Sequence, residues 1–146
     1  MVTMLPKRRK VARCHLSAAP PERLALDGGS EAPGHARQYA REFIDYYLPE
    51  TAPAQVDDML LIVSELVTNA VRYGTEPGDS LLVVLDLSVQ RLRVEVHDPI
   101  RRHPKFRPES EERQRGRGLF IVEALAACWG VTDRPFGKAV WAEVAR

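Results

Sequence analysis

Apolar residues recur along the chain with two different periods, and the switches between them outline its elements. Ala36, Tyr39, Ala40, Phe43, Ile44 and Tyr47 stand three and four apart, which predicts a helix ended by Pro49 and Pro53. A second helix is predicted from Ala54 to Tyr73, closed by Gly74. Glu76 to Asp79 read as a turn. Ser80 to Ser88 is nearly all apolar, as a central strand is. Arg91 to Asp98 alternates, with Leu92, Val94 and Val96 on one face and Arg93, Glu95 and His97 on the other. A third helix is expected from Gly116 to about Cys128, then a strand pair, Trp129 to Asp133 and Lys138 to Val144, joined at Arg134–Gly137. Upstream, Val11 to Leu16 read as a short first strand and Ser17 to Gly34 as a loop rich in Pro, Gly and Ser. The pattern implies an α+β fold of two layers, a mixed β-sheet with three main helices packed on one face. Residues 1–34 form a basic tail, first strand and loop, and residues 35–146 the folded domain.

The second predicted helix carries the most chemistry. Its centre reads Leu61-Ile62-Val63-Ser64-Glu65-Leu66-Val67-Thr68-Asn69-Ala70-Val71-Arg72, an apolar run holding a carboxylate, an amide and a guanidinium. At about 100° per residue, Asn69 falls about 40° from Glu65 and Arg72 about −20° from it. Val56, Met59, Leu60, Val63, Leu66, Val67, Ala70 and Val71 take the opposite face and pack inward. A solvated polar face would account for the three polar side chains. Against it, Leu61 and Ile62 lie beside the polar sector, and Asn and Thr are mediocre helix formers where solvent would accept Lys or Gln. A pocket wall is the sharper reading. An amide oxygen suits Mg²⁺ that also uses phosphate oxygens, arginine suits phosphate, and a glutamate one turn away can deprotonate a hydroxyl. The set points to a nucleotide with its metal.

Two further features bear on that reading. Asp98 closes the alternating strand on the face of Leu92, Val94 and Val96. A carboxylate buried there needs a partner, which a ligand amino group such as adenine's would supply; the other reading is an exposed strand end. Arg115-Gly116-Arg117-Gly118-Leu119 runs directly into Phe120-Ile121-Val122. Glycines leading a helix let backbone N–H groups approach an anion, although a glycine pair before a helix is often only a turn. It is not a Walker loop, since no Gly-Lys-Ser/Thr follows.

Composition narrows the classes. The chain has 146 residues, 45% hydrophobic and 28% charged, which describes one globular domain rather than a disordered chain. A net charge of +1 gives no bulk attraction to nucleic acid or acidic membrane. Pro6 to Lys10 are basic and read as a solvated tail rather than a nucleic-acid arm. No apolar segment follows them as in a signal peptide, and no run reaches the roughly 20 apolar residues of a membrane span. Cys14 and Cys128 follow no metal or redox spacing, so a reduced, cytoplasmic protein is expected.

Glu65-Leu66-Val67-Thr68-Asn69-Ala70-Val71-Arg72 resembles the N box of the GHKL ATPases, the histidine-kinase-like, Bergerat-fold superfamily. Asp98 stands where their G1 box begins, Gly116-Arg117-Gly118-Leu119 resembles their G2 box, and Gly137-Lys138-Ala139-Val140-Trp141 is similar to their last strand. The resemblance spans about residues 35–146, and the short free-standing form looks like the actinobacterial anti-sigma factor serine/threonine kinases. It implies that Asn69 holds Mg²⁺ against the ATP phosphates and that Asp98 accepts the adenine amino group. It also implies that Gly116, Arg117, Gly118 and Leu119 present backbone amides to the phosphates, under a lid from Pro99 to Arg115. Glu65 would be the general base toward a substrate serine. Arg72 would meet phosphate or pair with Glu65. By the same resemblance the partners are ATP, a sigma factor and a STAS-domain antagonist, and the chain is a homodimer.

The sequence also departs from that pattern. The G1 box usually continues Asp-x-Gly and here reads Asp98-Pro99-Ile100; a threonine common near the end of the domain is Ala139. Both changes leave ATP binding better supported than efficient catalysis. The principal expectation is an ATP-binding anti-sigma factor that phosphorylates an antagonist, and the alternative is a nucleotide-sensing binding module. A detached sensor histidine kinase lacks room for a helical hairpin around His15 or His35.

Overall fold

The computed structural model describes residues 19–99 and 112–146. Five strands and three helices follow in the order β1 (Arg23–Asp27), α1 (Ala32–Tyr47), α2 (Pro53–Tyr73), β2 (Ser80–Leu87), β3 (Arg91–Asp98), α3 (Glu112–Leu125), β4 (Cys128–Arg134) and β5 (Gly137–Ala145). The strands form one sheet in the order β1-β2-β3-β5-β4. The helices cover one face of it, which is the expected two-layer α+β architecture.

Alternation fixes which side of each strand meets the helices. Leu81, Val83 and Leu85 of β2, Leu92, Val94 and Val96 of β3, and Val140, Ala142 and Val144 of β5 are buried on the inner face. Against them pack Phe43 and Ile44 of α1 and Met59, Leu60, Val63, Leu66, Val67 and Ala70 of α2. Val56 and Val71 of the predicted inner set are only partly buried, at the margin of the same core. The outer face is polar and cross-linked. Arg93 bonds Glu95 at 2.7 Å and Glu143 at 3.0 Å and lies 4.1 Å over the Trp141 ring, while Arg91 also pairs with Glu143. Hydrogen bonds from Arg91 and Arg93 hold the Glu143 carboxyl below its usual range.

Four sequence expectations change. The sheet is antiparallel at every pairing rather than mixed. Strand β4 follows β3 through a helix and runs parallel to it, but β5 inserts between the two and removes the parallel pairing. The stretch expected as a loop from Ser17 to Gly34 contains β1, which pairs Asp27 with Ser80 at the sheet edge. Only Leu24 and Leu26 turn inward there, too few to mark a strand by alternation. Helix α1 begins at Ala32, with Pro33 in its first turn where a missing N–H costs nothing. Helix α3 begins at Glu112 rather than Gly116, because Glu112, Gln114, Arg115 and Arg117 are good helix formers and carry the helix across both glycines. The strand expected at Val11–Leu16, Cys14 and most of the proposed lid, 100–111, lie outside the described residues.

The chain before α1 is tied down by Tyr39, whose hydroxyl donates to the Pro21 carbonyl at 2.6 Å. Burial, reinforced by Glu22 and Tyr47, pushes that phenol well above its usual range and keeps it a donor. Phe43, one turn further along the same helix, lies edge-on to Tyr39, with its ring centroid 4.6 Å from that of Tyr47. Phe43→Ala should therefore cost about 3–5 kcal/mol, read as a lowered urea midpoint with an unchanged slope.

Candidate functional site

Helix α2 carries the candidate residues because its two long faces serve different neighbours. Ser64 accepts a hydrogen bond from Arg37 Nη1 of α1 at 2.9 Å, which braces the two helices beside Glu65. Glu65 and Asn69 are half-buried and Arg72 is exposed. Ile62 is fully buried while Leu61 is 42% exposed, so the sector around the polar residues is covered on one side and open on the other. Among the described residues, Glu65 and Arg72 form no ion pair with each other.

The end of α2 meets the end of β3. Asp98 is 6% exposed and faces the helix layer. A side chain on Gly74 would place its Cβ 2.5 Å from Asp98 Oδ2. Gly74 does close the helix, donating its N–H to Ala70 O at 2.8 Å, but with φ −116° rather than in the left-handed conformation. Its glycine character is demanded by the neighbouring carboxylate. Gly137, at φ +145°, answers both constraints: its Cβ would lie 1.9 Å from the Asp98 carbonyl oxygen. Two glycines thus enclose one acid.

The partner of that acid was not foreseen. Lys138 Nζ donates to Asp98 Oδ1 at 2.9 Å, with the lysine side chain 4% and the aspartate side chain 1% exposed. The buried carboxylate expected to wait for a ligand amine is compensated from within the protein. A signal was present in the sequence. Lys138 has the same parity as Val140, Ala142 and Val144 on β5, so alternation alone turns a lysine inward. It faces Asp98 directly in the β3–β5 register.

The remaining candidates divide. Gly116, Arg117, Gly118 and Leu119 lie within α3 rather than at its tip, and the Leu119 side chain is fully buried. A cleft of about 420 Å³ adjoins Asp98 and Pro99, walled by Leu81, Leu82, His97 and Phe136. Glu65, Asn69 and Arg72 do not line it, so it is not the hollow inferred from the sequence. What the structure joins is Asp98, Lys138 and the end of α2. From Gly74, Asn69 lies about 7.5 Å back along the helix and Glu65 about 13.5 Å, at 1.5 Å per residue. Among the described residues, no cluster of three His, Cys, Asp or Glu could hold a metal. An Mg²⁺ held by one amide and by phosphate oxygens needs no such cage.

The chain belongs to the histidine kinase-like ATPase domain family, whose profile matches residues 30–143. That membership implies ATP binding. A solved structure of the histidine kinase domain from Erythrobacter litoralis EL346 blue-light activated histidine kinase is 28% identical, over 62% of this chain and 44% of that one, with a TM-score of 0.41. The matched region is thus less than half of that chain. Comparison with curated proteins gave no significant match. No helix among the described residues is long and apolar enough to cross a membrane.

Two substitutions probe the enclosed acid. Gly74→Ala forces Asp98 or the end of α2 to move and should cost about 1–3 kcal/mol, whereas Gly29→Ala, with nothing within 4 Å, should change little. Asp98→Ala removes the carboxylate that Lys138 bonds in the interior and should cost about 3–5 kcal/mol. Thermal and urea unfolding of the purified variants measure both.

Proposed function

We propose that this ATP-binding domain is a regulatory serine kinase of the anti-sigma factor type. It phosphorylates a STAS-domain antagonist, sequesters a sigma factor and acts as a cytoplasmic homodimer. The observation that carries the reading is Glu65, a half-buried carboxylate one helical turn from Asn69 with no partner among the described residues. Such a group can take the proton from a serine hydroxyl as its oxygen forms the bond to the γ-phosphorus of ATP and ADP departs. Asn69 would hold Mg²⁺, which when bound draws charge from the phosphate oxygens. Arg72, exposed at the same end of the helix, would meet phosphate. Asp98 would receive the adenine amino group, and the backbone of Gly116, Arg117, Gly118 and Leu119 would meet the phosphates.

One observation favours a second reading, a nucleotide-sensing module that switches partners without phosphotransfer. Asp98 is already engaged by Lys138, and the sequence continues Pro99-Ile100 where the family pattern has a glycine two residues after the acid, which removes backbone freedom beside the base. Both features favour a modest affinity.

Incubation of the purified chain with γ-labelled ATP and candidate STAS antagonists separates the readings. Serine phosphorylation should fall about 10²–10⁴-fold in Glu65→Ala while Mg-ATP binding by calorimetry persists. Transfer that survives the substitution removes the role given to Glu65. Binding by the wild type without transfer to any antagonist selects the second reading. Asn69→Ala should weaken Mg-ATP far more than metal-free ATP, and equal weakening would remove the metal from that residue.

A further inference from the structure

Strand β1 leaves one edge of the sheet open. Among the described residues it pairs with β2, and no strand pairs with its other side. Glu22 O accepts from the Leu85 N–H and Gly28 donates to Asp79 O, so the even-numbered residues turn their backbone groups toward β2. By alternation Arg23, Ala25 and Asp27 turn theirs outward. Pro20 and Pro21 do not cover them, because the Tyr47 and Tyr39 hydroxyls hold their carbonyls against α1.

Charges on an edge strand often serve only to keep other strands away. Charges of one sign would do that against a copy of the same strand. The order here is Arg23-Leu24-Ala25-Leu26-Asp27, which is its own complement when turned end for end. Laid antiparallel about Ala25, Arg23 meets Asp27 of the partner subunit at both ends, and Leu24 meets Leu26 of the partner subunit. The small alanine sits on the two-fold axis. This register also opposes outward-facing backbone groups, giving about six hydrogen bonds, and a slip of two residues loses both ion pairs. Arg23 and Asp27 are exposed and form no ion pair among the described residues. Leu24 and Leu26 are only partly buried against the core. A groove of about 550 Å³ lies at the same edge, between Leu24 and His35, Gln38, Tyr39 and Glu42 of α1. Leu26 of the partner subunit would fall beside Leu24 there. We propose that β1 is a self-association edge, at which two copies join antiparallel about Ala25 into one continuous sheet with five strands from each. The inference gives the homodimer proposed above its contact and rests on that dimer, not on phosphotransfer. The contact is short, so the dimer should dissociate on dilution.

Sedimentation equilibrium of the full chain over a range of loading concentrations tests the contact. The wild type should show a monomer–dimer equilibrium. Arg23→Asp or Asp27→Arg alone sets like charge against like at both ends and should raise the dissociation constant about ten- to hundredfold. The double exchange Arg23→Asp/Asp27→Arg restores the match and should return the constant to within about threefold of the wild type. Mixing the two single variants should recover dimers as well, since each offers the charge the other lacks, and such dimers show that both are folded. Charges that merely keep the edge soluble give neither recovery. Should an exchange disturb folding, Ala25→Pro removes an outward N–H without breaking a bond inside the sheet and should weaken the dimer about tenfold or more. Dimers indifferent to the single exchanges or to Ala25→Pro, or folded variants that show no recovery, overturn the β1 contact and leave a homodimer formed elsewhere. A wild type that is monomeric at every concentration takes down the homodimer and this inference together.

Discussion

Where α2 ends against β3, the absence of a side chain at Gly74 gives the Asp98 carboxylate its place. That single close approach couples the two layers at the point where the chemistry is expected. The helix is positioned from behind by Met59, Val63, Leu66, Val67 and Ala70, which bury against the inner face of the sheet. It is positioned from the side by the Arg37–Ser64 hydrogen bond. Once its C-terminal end is set against Asp98, the heights of Asn69 and Glu65 above that acid follow from the rise of a helix. A shift of the helix along its axis would misplace all of them together.

Lys138 reshapes the reading of the acid. A carboxylate buried alone would gain most of its compensation from a ligand, and its state without ligand would be costly. With the lysine at 2.9 Å, the buried charge is compensated within the protein, and its two partners are held on paired strands. If Asp98 receives a ligand amine as proposed, that ligand competes with a strong internal contact, which fits a domain tuned for sensing at least as well as one tuned for turnover.

Much of this was legible in the sequence because it rests on period alone. The long helix, the alternating strand that ends at Asp98, and the final hairpin were each marked by apolar spacing. The features that were not legible are of three physical kinds. Strand β1 has only Leu24 and Leu26 turned inward, and pairing with β2 rather than its own pattern makes it a strand. The start of α3 was misplaced because two glycines cost about 1 kcal/mol each but do not terminate a helix with good formers around them. Gly74 was read as a helix-ending conformation when its φ of −116° is ordinary and its role is to make room. Lys138 was within reach of the same alternation rule that found Asp98, had the rule been applied to β5 with charge in mind.

The position of β5 has a consequence for biosynthesis. It follows β4 in the chain yet lies between β3 and β4, so the sheet stays in two pieces until residues 137–145 have left the ribosome. Before then β4 has no neighbour, and the inner face of β3 has lost Val140, Ala142 and Val144 on one flank. Asp98 likewise has no lysine beside it. A nascent chain can therefore assemble its helices and its β2–β3 hairpin first, but the corner around Asp98 closes only once β5 has emerged and paired.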